Sequence, residues 1–175
     1  KWPDIIVVSF LAVRNRDVCV FLNLKQEGLF KPFSFRVPDE QLQYFRQKDG
    51  DAAEIFTRPG LTSAVVQDIT GDNLRDLVAT GWSSDAIVFM PGHAETIFGA
   101  PKLIRAPGAP RDLQLTDFDG DGQADLAVVM YETGELTLWK GDGKVSFEEV
   151  SRFPTRGRLP IKVKISDVNC DGIPD

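Results

Sequence analysis

The chain has 175 residues, a net charge of −6 and a hydrophobic content of 42%, values that suit a globular protein with one substantial core. An acidic chain without clustered lysine and arginine argues against nucleic-acid binding. No apolar run is long enough to span a membrane and no signal peptide opens the chain; because Lys1 is not an initiator methionine, we expect a mature or excised segment.

Short stretches of alternating apolar and polar residues, separated by glycine-rich turns, predict antiparallel strands along the whole chain. In a first repeat the predicted strands cover 5–11, 18–23 and 29–37. A second repeat has four, at 62–67, 77–82, 86–90 and 96–105. A third has four, at 112–116, 126–131, 135–140 and 145–153, and a fourth contributes only 161–166. We name the four strands of a complete repeat A to D; the first repeat lacks strand A.

An aspartate-rich loop joins strand A to strand B in the third repeat. It places carboxylates at positions 1, 3, 5 and 9, from Asp117, Asp119, Asp121 and Asp125, and a glycine, Gly122, at position 6. Carboxylates this close together repel one another unless a cation lies between them. Calcium binds about six to eight oxygens, often including a backbone carbonyl at position 7, which is Gln123 here. The loop therefore predicts a Ca²⁺ site.

Two further A–B loops keep this pattern in part. Their predicted ligands at positions 1, 3, 5, 7 and 9 are Asp68, Thr70, Asp72, Leu74 and Asp76 in one, and Asp167, Asn169, Asp171, Ile173 and Asp175 in the other. The residue at position 7 again contributes its backbone carbonyl. In the Asp68 loop Asn73 replaces the glycine, and asparagine tolerates the left-handed backbone conformation.

The closing aspartates of these loops set the repeat length. They are 49 residues apart from Asp76 to Asp125 and 50 apart from Asp125 to Asp175. A period of this size in a strand-rich chain is typical of a propeller. We therefore predict an all-β fold, one β-propeller segment over 1–175, with repeats at about 1–60, 61–106, 107–154 and 155–175 and an insert at 38–57. This gives two full blades of four antiparallel strands and partial blades at each end.

The motif D-x-D-x-D-G-x-x-D before an apolar strand, together with Phe98-Gly99-Ala100-Pro101, resembles the FG-GAP repeat. That repeat builds the propeller of integrin α subunits and of bacterial surface and secreted VCBS-type proteins. The resemblance covers nearly the whole chain outside the 38–57 insert. It implies calcium in the A–B loops, a ligand on the opposite face, and an extracellular, periplasmic or cell-surface location.

Connectivity indicates where a ligand would bind. In an up-and-down sheet the A–B loops lie at one end, and the B–C and D–A connections lie at the other. The first repeat extends two of those opposite connections, and its candidate ligand-binding residues are Arg14, Arg16, Tyr44 and Arg46. Loops on a rigid scaffold often carry binding, although decorated loops without function are an equally good interpretation.

No catalytic motif occurs in the sequence, and His93, its single histidine, follows a Pro-Gly turn, so we expect no enzyme activity. The predicted function is a calcium-stabilised extracellular recognition or adhesion module that binds a protein or carbohydrate. The alternative is a non-catalytic propeller scaffold within a secreted hydrolase or lyase. Because propellers close with about four to eight blades, we also expect further blades in the same chain or self-association.

Overall fold

Three antiparallel sheets and one short hairpin form the regular structure in the computed structural model, which describes residues 3–9, 17–22, 33–37 and 60–171. The first sheet contains β1 (Ile5–Val8), β2 (Val18–Phe21) and β3 (Phe33–Phe35). The second repeat forms β4 (Leu61–Gln67), β5 (Asp76–Gly81), β6 (Ala86–Met90), the hairpin β7 (Gly92–His93) and β8 (Ile97–Phe98), and β9 (Lys102–Arg105). The third repeat forms β10 (Pro110–Thr116), β11 (Asp125–Met130), β12 (Glu135–Gly141) and β13 (Phe147–Pro154). A 3-10 turn at Trp82–Ser84 joins β5 to β6.

The two larger sheets are up-and-down blades, with strand orders β4-β5-β6-β9 and β10-β11-β12-β13. All their pairings are antiparallel. Gln67 pairs with Asp76 and Thr116 pairs with Asp125, so each aspartate-rich loop is the turn between strands A and B. This arrangement confirms the predicted all-β fold of four-stranded blades. The part of the chain that the structure describes contains no helix with the length and apolar content needed to cross a bilayer.

The hydrophobic core lies between neighbouring sheets. Strand β5 is buried on both faces, because successive side chains point in opposite directions and its two faces contribute to different hydrophobic clusters; every residue of β11 is buried as well. One cluster joins the second and third repeats and includes Val78, Ile87, Phe89, Leu126, Val128 and Trp139. The other joins the first and second repeats and includes Val18, Val20, Leu77, Ala79 and Val88.

Ring and polar contacts also cross between the blades. The rings of Phe89 and Phe147 have centroids 6.3 Å apart, and those of Trp82 and Tyr131 meet edge to face at 6.1 Å. The Thr62 hydroxyl donates to the carbonyl oxygen of Arg111 at 2.7 Å, which ties β4 to β10. Trp82 and Tyr131 belong to the B–C connections, so these connections adjoin each other at the end of the sheets opposite the aspartate-rich loops.

Two predicted strands differ in the structure. The predicted 96–105 strand is divided: Ile97–Phe98 pairs within the hairpin, and strand D begins at Lys102. Ile97 has a φ of +70°, and Pro101 has no N–H to donate to a ladder, so a continuous strand cannot form there.

The predicted 161–166 strand is wrong as well, since no ladder forms over these residues. Val163 still donates its N–H to Asp112 at 3.0 Å, so the segment lies beside β10. In the complete blades strand A pairs with strand B, and no strand B that follows 161–166 lies among the described residues. In the first repeat β1, β2 and β3 end before the predicted strands do, and residues 10–11, 23 and 29–32 of the predicted ranges fall outside the described residues.

Candidate metal centre

The Asp117 loop, residues 117–125, is a tight turn held by its first carboxylate. Asp117 accepts the N–H groups of Gly120 at 2.7 Å and Gly122 at 2.9 Å, and a longer one from Asp121 at 3.2 Å. Gly120 and Gly122 have φ values of +77° and +82°, where a residue with a Cβ would be strained. The turn therefore takes the left-handed conformation at position 4 as well as at the predicted position 6, and glycine adopts that conformation without steric cost.

The loop brings three of its predicted ligands together. Asp117, Asp119 and Asp125 each place a carboxylate oxygen within 4.8 Å of the other two. The first two side chains are exposed and Asp125 is buried. Hard oxygen donors at this spacing suit Ca²⁺, so the residues present fit the predicted ion.

Two other predicted ligands of this loop make different contacts. Asp121 accepts the N–H of Gln123 at 2.8 Å and lies 2.9 Å from the ammonium group of Lys140. The carbonyl ligand predicted for Gln123 remains a prediction.

The ninth residue of the loop is bound chiefly by the backbone. Asp125 is fully buried and accepts the N–H of Phe118 at 3.1 Å and that of Gly141 at 2.9 Å. Asp76, its counterpart in the Asp68 loop, accepts N–H groups from Ile69 at 2.8 Å and Gly92 at 2.6 Å. Each closing aspartate thus ties its own turn to a glycine at the end of strand C, as for Gly141, or two residues after it, as for Gly92.

The glycines that contact these aspartates were missed by the sequence reasoning. Gly92 and Gly141 each follow their aspartate by 16 residues. A Cβ on Gly141 would lie 2.1 Å from the carbonyl oxygen of Ala124, and one on Gly92 would lie 2.5 Å from the Cβ of Leu74. Their recurrence at the same distance in two repeats was a signal that could have identified them.

Lys140 is a second residue of the site that the sequence analysis did not identify. Its Nζ forms ion pairs with Asp119 and with Asp121, at the mouth of the loop. The hydrogen bond from Lys140, followed by that from the Gln123 backbone, lowers the pKa of Asp121. Hydrogen bonds to Asp119 and then Asp121 raise the pKa of Lys140. All three groups are partly exposed, so solvent screens this cluster.

The Asp68 loop repeats most of these contacts. Asp68 accepts the N–H groups of Gly71 at 2.7 Å and Asn73 at 3.0 Å, and Asp72 accepts that of Leu74 at 2.8 Å. Asn73 has a φ of +67°, which confirms that asparagine takes the left-handed conformation of the usual glycine. The hydroxyl oxygen of Thr70 is buried without a hydrogen-bond partner among the described residues. Position 3 of this loop therefore keeps a side-chain oxygen that could serve as a ligand.

The Asp167 loop is described only as far as Asp171. The Asp171 N–H donates to Asp167 at 3.1 Å and to Asn169 at 2.9 Å, which matches the contacts of Asp121 in the Asp117 loop. Two of its predicted ligands, Ile173 and Asp175, lie outside the described residues. So do all four candidate ligand-binding residues, Arg14, Arg16, Tyr44 and Arg46.

A cleft of about 670 Å³ separates the two fully described loops. Its lining includes Asp68 and Thr70 from one loop, Asp117 and Gly122 from the other, and Lys144 from the C–D turn. The two loops therefore lie on the same end of the blades, as connectivity predicts.

Comparison with known families agrees with this geometry. The sequence profile of the FG-GAP-like repeat matches residues 68–128 and, overlapping them, residues 117–175. Each match begins at the first aspartate of an A–B loop, and together they cover more than half of the chain. Searches of curated proteins and of solved structures find no match. The chain belongs to the FG-GAP-like repeat family.

Proposed function

We propose that this chain is a calcium-stabilised recognition or adhesion module that works outside the cell and binds a protein or a glycan. The calcium part rests on Asp117, Asp119 and Asp125, whose carboxylate oxygens lie within 4.8 Å of one another in an A–B turn. Repeats of this family are typical of extracellular or surface modules for recognition and adhesion and are generally non-catalytic. The proposal therefore assigns binding, and no reaction, to the chain.

In this proposal calcium has a structural role. Asp117, Asp119 and Asp125 would hold the ion, with Asp121 and the carbonyl of Gln123 as further ligands. The ion would supply positive charge that offsets the repulsion among the carboxylates. With about 1 mM calcium and a dissociation constant of about 0.1 mM, one such site would stabilise the fold by about 1.4 kcal/mol.

The ligand would bind at the other end of the blades. The described A–B loops share one cleft, whereas the B–C connections meet at Trp82 and Tyr131. By connectivity Arg14 and Arg16 belong to a B–C connection, and Tyr44 and Arg46 belong to the 38–57 insert. Loops that extend from a rigid sheet are common binding elements, which supports assigning recognition to this end.

Thermal unfolding with and without a calcium chelator, at constant ionic strength, tests the ion role. We expect the chelator to lower the melting temperature of the wild type and to lower that of Asp119→Ala by less. Asp142→Ala is the matched control, because Asp142 also caps a turn, accepting the N–H groups of Lys144 and Ser146, but lies outside the carboxylate cluster. A wild-type melting curve that the chelator leaves unchanged would refute the calcium role.

Binding to glycan and protein arrays tests the recognition role. The wild type is compared with a variant in which a short Gly-Ser linker replaces the 38–57 insert and with the Arg14→Ala/Arg16→Ala variant. We expect the variants to lose binding while retaining the chelator-sensitive melting curve. Equal binding by all three proteins would place the ligand elsewhere on the molecule.

A further inference from the structure

Lys140 lies beside the Asp117 loop, and the equivalent position beside the Asp68 loop holds a different kind of residue. Gly141 donates to Asp125 as Gly92 donates to Asp76, so the two glycines are equivalent. The preceding residues, Lys140 and Pro91, are therefore equivalent too. Because proline has no cationic group, the Asp68 loop lacks the ammonium that contacts the Asp117 loop.

The two loops also differ at position 3, in the same pair of repeats that differ at Lys140 and Pro91. Position 3 is Asp119 in the Asp117 loop and Thr70 in the Asp68 loop. The extra carboxylate is one of the two that Lys140 contacts. The four carboxylates of the Asp117 loop and the Lys140 ammonium sum to −3; the three carboxylates of the Asp68 loop also sum to −3 before its exposed Arg75 is counted, and to −2 with it.

We propose that Lys140 competes with the cation for the carboxylates of the Asp117 loop and sets the calcium affinity of the loop well below the value that four carboxylates would give. This inference rests on the proposed calcium role. The ammonium contacts Asp119 and Asp121 through one oxygen each. A calcium ion that used the same carboxylates would either share them with the ammonium or displace it, and both cost binding free energy.

The size of the effect follows from charge and distance. At the dielectric of water and low salt, about 10 mM, a lysine ammonium about 5 Å from a divalent ion repels it by on the order of 1.4 kcal/mol. That repulsion corresponds to about a tenfold change in the dissociation constant. Removing the charge should therefore tighten calcium binding by about tenfold, and replacing Lys140 with arginine should leave most of the competition in place.

The experiment is a calcium titration of the full chain followed by NMR with ¹⁵N-glycine labelling. The amides of Gly120 and Gly122 donate to Asp117 and report on that loop, while the amide of Gly71 reports on the Asp68 loop. The proteins are the wild type, Lys140→Met, Lys140→Arg and Lys144→Met. Lys144→Met is the matched control, since it removes the same charge from a lysine that lines the cleft beside the Asp117 loop.

We expect Lys140→Met to lower the dissociation constant at Gly120 and Gly122 by about tenfold, with the Gly71 value unchanged and Lys144→Met within about twofold of the wild type. Equal or weaker binding by Lys140→Met, or an equal shift in Lys144→Met, would overturn the inference and leave the calcium role intact. If neither the wild type nor Lys140→Met binds calcium at this loop, both proposals fail there. Binding by Lys140→Met alone would support the competitor role and refute calcium occupancy of this loop in the native chain.

Discussion

Asp125 illustrates how one residue serves both the fold and the candidate metal centre. Its carboxylate is buried, contributes to the acidic cluster, and accepts N–H groups from two separate segments, at Phe118 and Gly141. Asp119 belongs to the same cluster but is exposed and accepts a longer hydrogen bond, 3.2 Å, from Asp121. The two aspartates should therefore respond differently to substitution.

We expect Asp125→Ala to lower the free energy of unfolding by about 2–4 kcal/mol, because two N–H groups lose a charged acceptor in the interior. The loss should persist in excess chelator, since those hydrogen bonds belong to the protein alone. Urea unfolding in chelator measures it. Asp119→Ala is the control and should be close to wild type under those conditions; equal losses in the two variants would contradict the assignment.

Glu135 gives a pH-dependent prediction. The hydrogen bond from Thr133, followed by that from Arg152, lowers the pKa of Glu135 below its ordinary value of 4.5. A carboxyl whose pKa is lower in the folded state stabilises the fold above its unfolded-state pKa, and this contribution is lost as the pH falls through the folded-state value. The window therefore begins near pH 4.5 and extends below it.

The variant Glu135→Gln should accordingly be less stable than the wild type at neutral pH, and the difference should shrink as the pH falls below 4.5. Thermal unfolding over a pH series measures this. Glu132→Gln removes an exposed carboxylate from the neighbouring turn and provides the control. A difference that stays constant down to the lowest pH would contradict the ion-pair contribution of Glu135.

At the scale of the element, the A–B turn and the end of strand C form a single unit. Gly141 ends β12, donates to Asp125 and lies against the backbone of Ala124. In contrast, Gly120 has open space where a Cβ would go, and it is constrained only by its φ of +77°. One glycine is required by a close contact and the other by its conformation.

We expect Gly141→Ala to destabilise the blade by about 3 kcal/mol or more, because its Cβ would overlap the carbonyl oxygen of Ala124 and force β12 away from the loop. Gly120→Ala should cost only about 1 kcal/mol, the penalty of a left-handed non-glycine residue. Chemical denaturation in chelator compares the two. A milder effect for Gly141→Ala than for Gly120→Ala would show that the close approach does not constrain the blade.

Most strands were predictable because alternation and turn glycines act over a few residues. The predicted 86–90 strand agrees with β6 (Ala86–Met90) at both ends. The predictions failed for two different reasons. Strand D of the second repeat is divided at Pro101 by local backbone chemistry that an alternation pattern does not detect, whereas 161–166 has no described partner strand, an outcome that depends on residues distant in sequence. In the candidate site, periodic aspartates identified the loops. Lys140 could not be found in the same way, because its contact with Asp119 spans 21 residues and, in the part of the chain that the structure describes, occurs only in the third repeat.

At the scale of the whole molecule, the outer face of the third-repeat sheet retains exposed apolar surface. Leu136 pairs with Phe153 across β12 and β13, so both side chains lie on the face opposite Trp139. Phe153 is 49% exposed. At the other end of the array, Ile5 and Val7 are also about half exposed, on the face of β1 away from the second sheet. Elsewhere among the described residues, apolar side chains on a sheet face are buried against the neighbouring sheet.

We propose that these two faces meet further blades, either of the same chain or of a second copy. For the isolated chain we expect concentration-dependent self-association, measured by sedimentation velocity, and weaker association for Phe153→Glu. Glu148→Gln changes the net charge in the opposite sense at an exposed residue of the same strand and should associate like the wild type. A monomer at all concentrations would contradict self-association of this chain.

The two hydrophobic clusters determine the order in which the sheets should unfold. Each cluster is shared by adjacent repeats, so a sheet that loses its neighbour also loses one side of its apolar contacts. Stability in such an array is governed by nearest-neighbour coupling along one dimension. Unfolding should therefore begin by fraying at a terminal sheet and propagate inwards, and the amides of β5, which has a cluster on each side, should exchange with solvent last.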